Sequence, residues 1–323
     1  MTTLQLLHQQ LAPELNELNQ RIRRQLTTSN GLMNSVVVSQ LSSTGKQIRP
    51  LIVILCARLF GEVNENVMAA AAAVELLHNA SLIHDDVVDE SKVRRNHPTI
   101  NSIWDNHIAV LVGDFYVSSA MQQALQTRDI RIIESLSILG KDLSLGEIDQ
   151  IYNARSHSLT EEAYYNVINL KTASLFVACA RMGCYAAGAD DDSAARLARF
   201  AELLGLCFQI RDDIFDYFSD DVGKPTGNDL RECKITLPLL HTLLRDDLPD
   251  VGRMREIASQ ETLTDDEIAE LIAFAVENGG IDYAFDEMHR LRGEAAEILA
   301  GFPRTASTEQ LMSIFDYIIA RDH

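Results

Sequence analysis

Two groups of aspartates have a spacing that permits chemistry. Asp85, Asp86 and Asp89 form an Asp-Asp-x-x-Asp run, and Asp212, Asp213 and Asp216 repeat the pattern far downstream. On a helix, positions i and i+4 share a face, so Asp85 projects with Asp89, and Asp212 with Asp216. Carboxylates placed together repel by a few tenths of a kcal/mol on an open helix surface. In a crevice the repulsion grows unless a cation offsets it. Such hard oxygen ligands suit Mg²⁺, which takes one or two carboxylates and completes its octahedron with water and phosphate oxygens. A single run reads equally well as a solvated helix end. Two runs, each closing an apolar segment, point instead to several Mg²⁺ ions clamping phosphoryl oxygens.

A phosphate site also needs donors. Lys46 and Arg49 stand at i, i+3 beside a helix start, where backbone N–H groups favour anions. Arg94 and Arg95 follow the first acidic run, Lys171 and Thr172 interrupt an apolar stretch, and Lys224 trails the second run. Taken singly, each cation reads as solvated or snorkelling. His78, two turns before Asp85 on nearly the same face, reads alone as a core histidine.

The elements that must hold these groups are helical. Ala, Leu, Glu, Gln and Arg dominate the segments between scarce glycines and prolines, while alternating strand patterns are poor. Helices are expected at Leu4–Gln25, Ile48–Leu59, Glu65–Asp89, Ser102–Leu125, Ile130–Tyr152 and Thr160–Ala187. Further ones are expected at Asp192–Tyr217, Leu237–Leu244, Asp265–Glu277, Ile281–Leu299 and Thr308–Arg321. Several are apolar on most faces and belong at the centre of a bundle. The polar stretch Leu248–Thr264 is too short for a boundary, and no linker or repeat divides the chain, so one all-α domain over 1–323 is expected.

Composition sets the outer limits. The 323 residues are 46% hydrophobic, which excludes intrinsic disorder. Forty-seven acidic residues against 28 Lys and Arg leave a formal net charge of −19. That excess argues against nucleic-acid binding and against docking on anionic lipid. Five cysteines without a C-x-x-C pair fit a reduced, cytosolic chain with buried thiols. No basic leader opens the sequence. Its longest apolar runs, Val67–Val74 and Leu51–Ala57, fall short of the ~18 residues of a bilayer span. A cytoplasmic protein without an integral membrane segment is expected.

Taken together, the motifs resemble those of the trans-isoprenyl diphosphate synthases (polyprenyl synthetases). The resemblance runs from about Gly45 to Pro238. It covers Gly45–Pro50, Glu75–His78 through Ser91, Arg94-Arg95, Val112–Phe115, Gly146–Gln150, Lys171–Ala173, Phe208–Asp213 and Gly223–Pro238. It implies a helical bundle around a central cavity, with two Asp-rich motifs facing one another and two or three Mg²⁺ ions bound. By the same resemblance Lys46, Arg49, His78 and Arg95 hold isopentenyl diphosphate. Asp85, Asp86, Asp89, Asp212, Asp213 and Asp216 form the metal-binding motifs, with Asp85, Asp89 and Asp212 carrying the ions. Arg94, Lys171, Lys224 and Lys234 complete the clamp on the allylic diphosphate. Thr172 and Gln209 turn oxygen dipoles toward the developing allylic cation. Small residues at Ala80 and Ser81, with Leu77 deeper, resemble long-chain enzymes, and an octaprenyl-type product for quinone side chains is expected, from a homodimer. Alternatives are a geranylgeranyl diphosphate synthase or a non-catalytic subunit of a prenyl synthase. A terpene cyclase or squalene-type synthase is disfavoured because two full Asp-rich runs and the Gly-Lys-x-x-Arg-Pro segment suit a reaction with two diphosphates. An acidic Ca²⁺-binding protein is disfavoured too, since its Gly-centred acidic loop is absent. Three positions depart from the family pattern: Gln47, Asn96 and Cys233.

Overall fold

The computed structural model of the chain describes residues 2–41, 45–94, 97–156, 159–218 and 226–321. The fold is all-α, as expected; among the described residues the only strands are Val93–Arg94 and His97–Pro98, paired in a two-stranded hairpin. Backbone packing divides the chain into two compact units. One comprises residues 1–140, 175–198 and 302–311, and the other 141–174, 199–301 and 312–323.

In the first unit the central helix is Glu65–Val88. Asn64 caps its start, the side chain accepting the N–H groups of Asn66 and Val67 at 2.9 and 3.0 Å. Every residue from Val67 to Val74 is buried, so small alanines let neighbouring backbones approach on all sides. Helix Asn106–Gln126 runs antiparallel against it. Arg21 ties the start of one to the end of the other, reaching Glu65 at 2.8 Å and Gln123 at 2.6 Å. At the opposite end His84 lies where a side chain on Gly113 would have to be, its Nε2 2.1 Å from the position of a Cβ there. Helices Ile48–Ala57 and Ser174–Ala186 cross as closely, since a Cβ on Gly183 would lie 2.3 Å from the Val53 carbonyl oxygen.

The second unit is built on a core of Leu239, Leu243, Met254, Leu271 and Ala275, contributed by helices Leu237–Leu243, Val251–Ala258 and Asp265–Glu277. Helix Gly280–Ala300 packs on the first of these through Gly280, where a Cβ would meet the Pro238 carbonyl at 2.1 Å.

Several sequence expectations need correction. The expected Leu4–Gln25 helix is two, Thr3–Gln10 and Ala12–Leu26, because Pro13 has no N–H to continue the first. Thr160–Ala187 is interrupted: Glu161–Ile168 leads into a π-helical turn, Asn169–Ala173, before Ser174–Ala186. Helices Gly31–Leu41 and Val251–Ala258 were not expected. The second hides in the polar stretch after Leu248 because only Val251, Met254, Ile257 and Ala258 are buried. Two helical stretches, Glu65–Val88 and Glu161–Ala186, are after all long and apolar enough to cross a membrane. Most of each apolar window, 72% and 67%, is buried inside the fold.

Candidate active site

Both acidic motifs sit at helix C-termini. Asp85, Asp86 and Asp89 occupy the last turn and cap of Glu65–Val88, and Asp212 and Asp213 the last turn of Asp191–Phe215 with Asp216 just beyond. A helix C-terminus already carries about half a negative charge, so carboxylates there are electrostatically disfavoured. The placement makes sense where a cation is to be held.

In the first unit Asp85 is half-buried and Asp89 exposed one turn on. Asp86 differs from both. It is buried and accepts Nε of Arg94 at 2.7 Å, while its own carbonyl accepts the Asn101 amide at 3.1 Å. Burial raises its carboxyl pKa above the usual range, and the Arg94 hydrogen bond pulls against that. Arg94, on the hairpin after the helix, is therefore anchored by the middle aspartate of the motif. A small cavity of about 60 Å³ lies beside them, lined by Asn79, Asp86, Arg94 and Thr99 among others. Lys46 is exposed, and its carbonyl accepts His8 Nε2 at 2.8 Å. Arg49, in the first turn of Ile48–Ala57, lies over the Phe176 ring at 5.8 Å. Burial raises the Cys179 thiol pKa; Arg49 lowers it and Glu75 raises it, so these three share one neighbourhood, a turn from buried His78. Ala80 is fully buried and Leu77 nearly so, while Ser81 turns its hydroxyl back onto the His78 carbonyl at 2.9 Å. Arg95 and Lys224 lie outside the described residues.

The second unit holds a cavity of about 220 Å³. Its wall brings together Lys171, Thr172, Gln209, Asp213 and Lys234, all expected from sequence, with Tyr164 and Asp229, which were not. Lys171 and Thr172 stand on the π-helical turn, the sort of irregularity that often marks a functional site. Gly146 makes room for it, since a Cβ there would lie 2.8 Å from the Lys171 nitrogen. Lys171 is held by Glu147 at 2.5 Å and Gln150 at 3.1 Å. Lys234 pairs with Glu232 at 2.5 Å, and its N–H donates to the Asp229 carbonyl at 2.8 Å.

The second motif's aspartates have separate environments. Asp212 pairs with Arg321 near the end of the chain. Asp216 accepts the N–H groups of Asn228 and Asp229, both at 2.9 Å, capping the short helix Asn228–Arg231. Asp213 is buried, accepting Tyr164 Oη at 2.6 Å and Gln209 Nε2 at 2.8 Å. Burial pushes its carboxyl up to about 8, with Asp229 adding to the shift and the two hydrogen bonds opposing it. Asp229 is pushed up to about 6 by burial and then by Asp216, against the pull of Lys234. The Tyr164 phenol is held well above its ordinary value by burial first and Asp213 second. A signal for Asp229 lay in the Gly227-Asn228-Asp229 segment. Tyr164 had none beyond its place seven residues before Lys171.

Among the described residues no three His, Cys, Asp or Glu side chains converge on one point as a complete metal cage. The donor set nonetheless fits Mg²⁺, which is held by one or two carboxylates and takes its remaining oxygens from water and substrate phosphate. Four cysteines are buried, as expected, but Cys233 is not. It lines the cavity with φ 56°, so this departure from the family pattern falls where glycine is favoured. Gln47, with φ 44°, is a second such position.

Residues 31–275 match the polyprenyl synthetase family. The chain belongs to that family. It is 33% identical to octaprenyl diphosphate synthase of Haemophilus influenzae over 96% of this chain and 95% of the relative. Among solved structures, a decaprenyl diphosphate synthase from Rhodobacter capsulatus superposes with a TM-score of 0.92 at 31% identity, covering 99% of both chains. Polyprenyl synthase from Caulobacter crescentus, complexed with calcium and isoprenyl diphosphate, gives 0.90 at 31% identity over 99% of this chain and 98% of the other. As a polyprenyl synthetase the chain is a prenyltransferase acting on isoprenyl diphosphates.

Proposed function

We propose that the chain is an Mg²⁺-dependent, chain-elongating synthase that condenses isopentenyl diphosphate with an allylic diphosphate into a long all-trans polyprenyl diphosphate of octaprenyl type. The observation that carries this reading is the 220 Å³ cavity, where Lys171 and Lys234 lie in the same wall as the uncharged oxygens of Thr172 and Gln209. Such a wall suits a substrate with an anionic head and a cation forming beside it. As the allylic C–O bond breaks, charge gathers on the departing diphosphate, and Lys171, Lys234, Lys224 and Arg94 stabilise it. Asp85, Asp89 and Asp212 are the residues that would hold Mg²⁺, which when bound would supply further neutralisation of that leaving group. Thr172 and Gln209 offer oxygen dipoles to the carbon left positive. Lys46, Arg49, His78 and Arg95 hold isopentenyl diphosphate, whose double bond attacks that carbon. The proton then lost goes to the diphosphate, so no separate base is required.

Octaprenyl and decaprenyl relatives support a long product, as do the small volumes at Ala80 and Ser81 above Leu77. A pair of identical chains in the cytoplasm is the proposed working form. In favour of pairing, Val110, Leu111, Met121 and Leu125 leave apolar side chains exposed along Asn106–Gln126. All residues are assigned to one functional domain. The deciding experiment supplies farnesyl diphosphate, labelled isopentenyl diphosphate and Mg²⁺, and sizes the dephosphorylated product. An octaprenyl-centred ladder that EDTA abolishes is expected. A farnesyl or geranylgeranyl end point defeats the long-chain reading, and undiminished turnover in EDTA defeats the metal reading.

A further inference from the structure

Three consecutive hydrogen bonds run along one wall of the cavity. Tyr164 Oη donates to Oδ2 of Asp213 at 2.6 Å. Gln209 Nε2 donates to Oδ1 of the same carboxyl at 2.8 Å, and Thr172 Oγ1 donates to Gln209 Oε1 at 2.7 Å. Each step fixes the next. A primary amide can turn over, exchanging its donor and acceptor ends, unless its neighbours dictate which faces which. Tyr164 and Gln209 each take one oxygen of the Asp213 carboxyl, and the Gln209 nitrogen points to it. The Gln209 oxygen must then face Thr172, and it takes the hydroxyl proton. Thr172 is left with only lone pairs for the cavity it lines.

We propose that Tyr164 is a positioning residue for prenyl transfer, acting through Asp213 and Gln209 to present Thr172 to the cavity as an electron-rich oxygen. The inference rests on the reading of this cavity as the allylic site. Tyr164 is suited to the task because it is 9% exposed, and its hydroxyl is spent on Asp213. Without that hydroxyl the Asp213 carboxyl loses the contact that fixes its rotation, the Gln209 amide that follows it is no longer held in place, and Thr172 can turn its proton toward a forming positive charge. The loss falls on the step where charge develops, so it belongs in kcat rather than in ground-state binding.

The test measures kcat and both KM values, with farnesyl and isopentenyl diphosphates and Mg²⁺, for wild type, Tyr164→Phe, Gln209→Ala and the double variant. Expected is a fall of about tenfold in kcat for Tyr164→Phe with each KM within about twofold, the scale of losing one oriented hydrogen bond. In the Gln209→Ala background Tyr164→Phe should cost nothing further, because the group it acts through is gone. Unchanged kcat in Tyr164→Phe, or losses that multiply in the double variant, overturns the proposal. Thr172→Ser and Thr172→Val provide a second arm should Tyr164→Phe misfold. The serine variant should retain activity within about threefold and the valine variant should not; equal rates for the two overturn it as well. Wild type that incorporates no label overturns the functional reading beneath the proposal, a result distinct from any of these.

Discussion

Arg94 Nε donates to Asp86 Oδ1 at 2.7 Å, so the middle carboxylate of the first acidic motif already has its cation. Asp85 and Asp89 flank it on the same turn with different surroundings, half-buried and exposed. The three aspartates should therefore respond differently to substitution. Asp85→Ala or Asp89→Ala is expected to lower kcat by about two to three orders of magnitude, the scale of losing a charge-stabilising group. Asp86→Asn should chiefly raise KM for the allylic substrate, by releasing Arg94, with kcat within about tenfold. Steady-state kinetics on the three variants decide this, and equal losses of kcat at all three positions would count against it.

Asp213 makes the stability of the metal-free protein pH-dependent. Its folded pKa, raised by burial to about 8, lies above its unfolded value. The folded state therefore binds this proton more tightly, and the stabilisation is complete only below the unfolded pKa. It is lost as pH rises from about 4 through about 8. In EDTA the melting temperature should fall across that window, and Asp213→Asn should flatten the fall. Parallel melting curves for wild type and variant would exclude Asp213 as the source.

Two glycines on helices should give opposite signs when changed to alanine. Gly183 faces the Val53 carbonyl, with 2.3 Å available to a Cβ. Gly183→Ala should cost about 1–3 kcal/mol through overpacking. Gly293 has nothing within 4 Å of the corresponding position and lies inside Gly280–Ala300. Gly293→Ala should gain about 0.5–1 kcal/mol from helix propensity alone. Chemical denaturation of the two variants checks both signs.

Ser81 spends its hydroxyl on its own helix and offers little volume beyond it. A bulky ring in its place should block a growing chain. Ser81→Phe is expected to shorten the product to farnesyl or geranylgeranyl length while keeping the rate of the first condensation within about threefold. Product sizing by chromatography checks it; an unaltered ladder would mean that the tail takes another path.

Much of this was legible in the sequence because it rests on periodicity and on pairs of like charges. The helix carrying Asp85 was expected within one residue of its observed end, and Lys171, Thr172, Gln209, Asp213 and Lys234 line one cavity. What escaped depends on contacts distant along the chain. Tyr164 and Asp213 are 49 residues apart, and nothing local marks a buried tyrosine as the donor to a particular aspartate. The division of labour among the aspartates escaped for the same reason: Asp86 looks like Asp85 until the hairpin brings Arg94 back to it. The π-helical turn was invisible because its residues carry no local signature, and the glycine that makes room for it, Gly146, lies on another helix.

That turn has a consequence for anyone redesigning the enzyme. A five-residue loop of the backbone ladder holds one more residue than the regular spiral on either side. Deleting Asn169 would let the spiral close into an unbroken rod and would swing the ammonium-bearing residue roughly a quarter-turn around the axis relative to the helix before it. The surplus residue is thus what lets Tyr164 and the ammonium each keep its aim from a single rod.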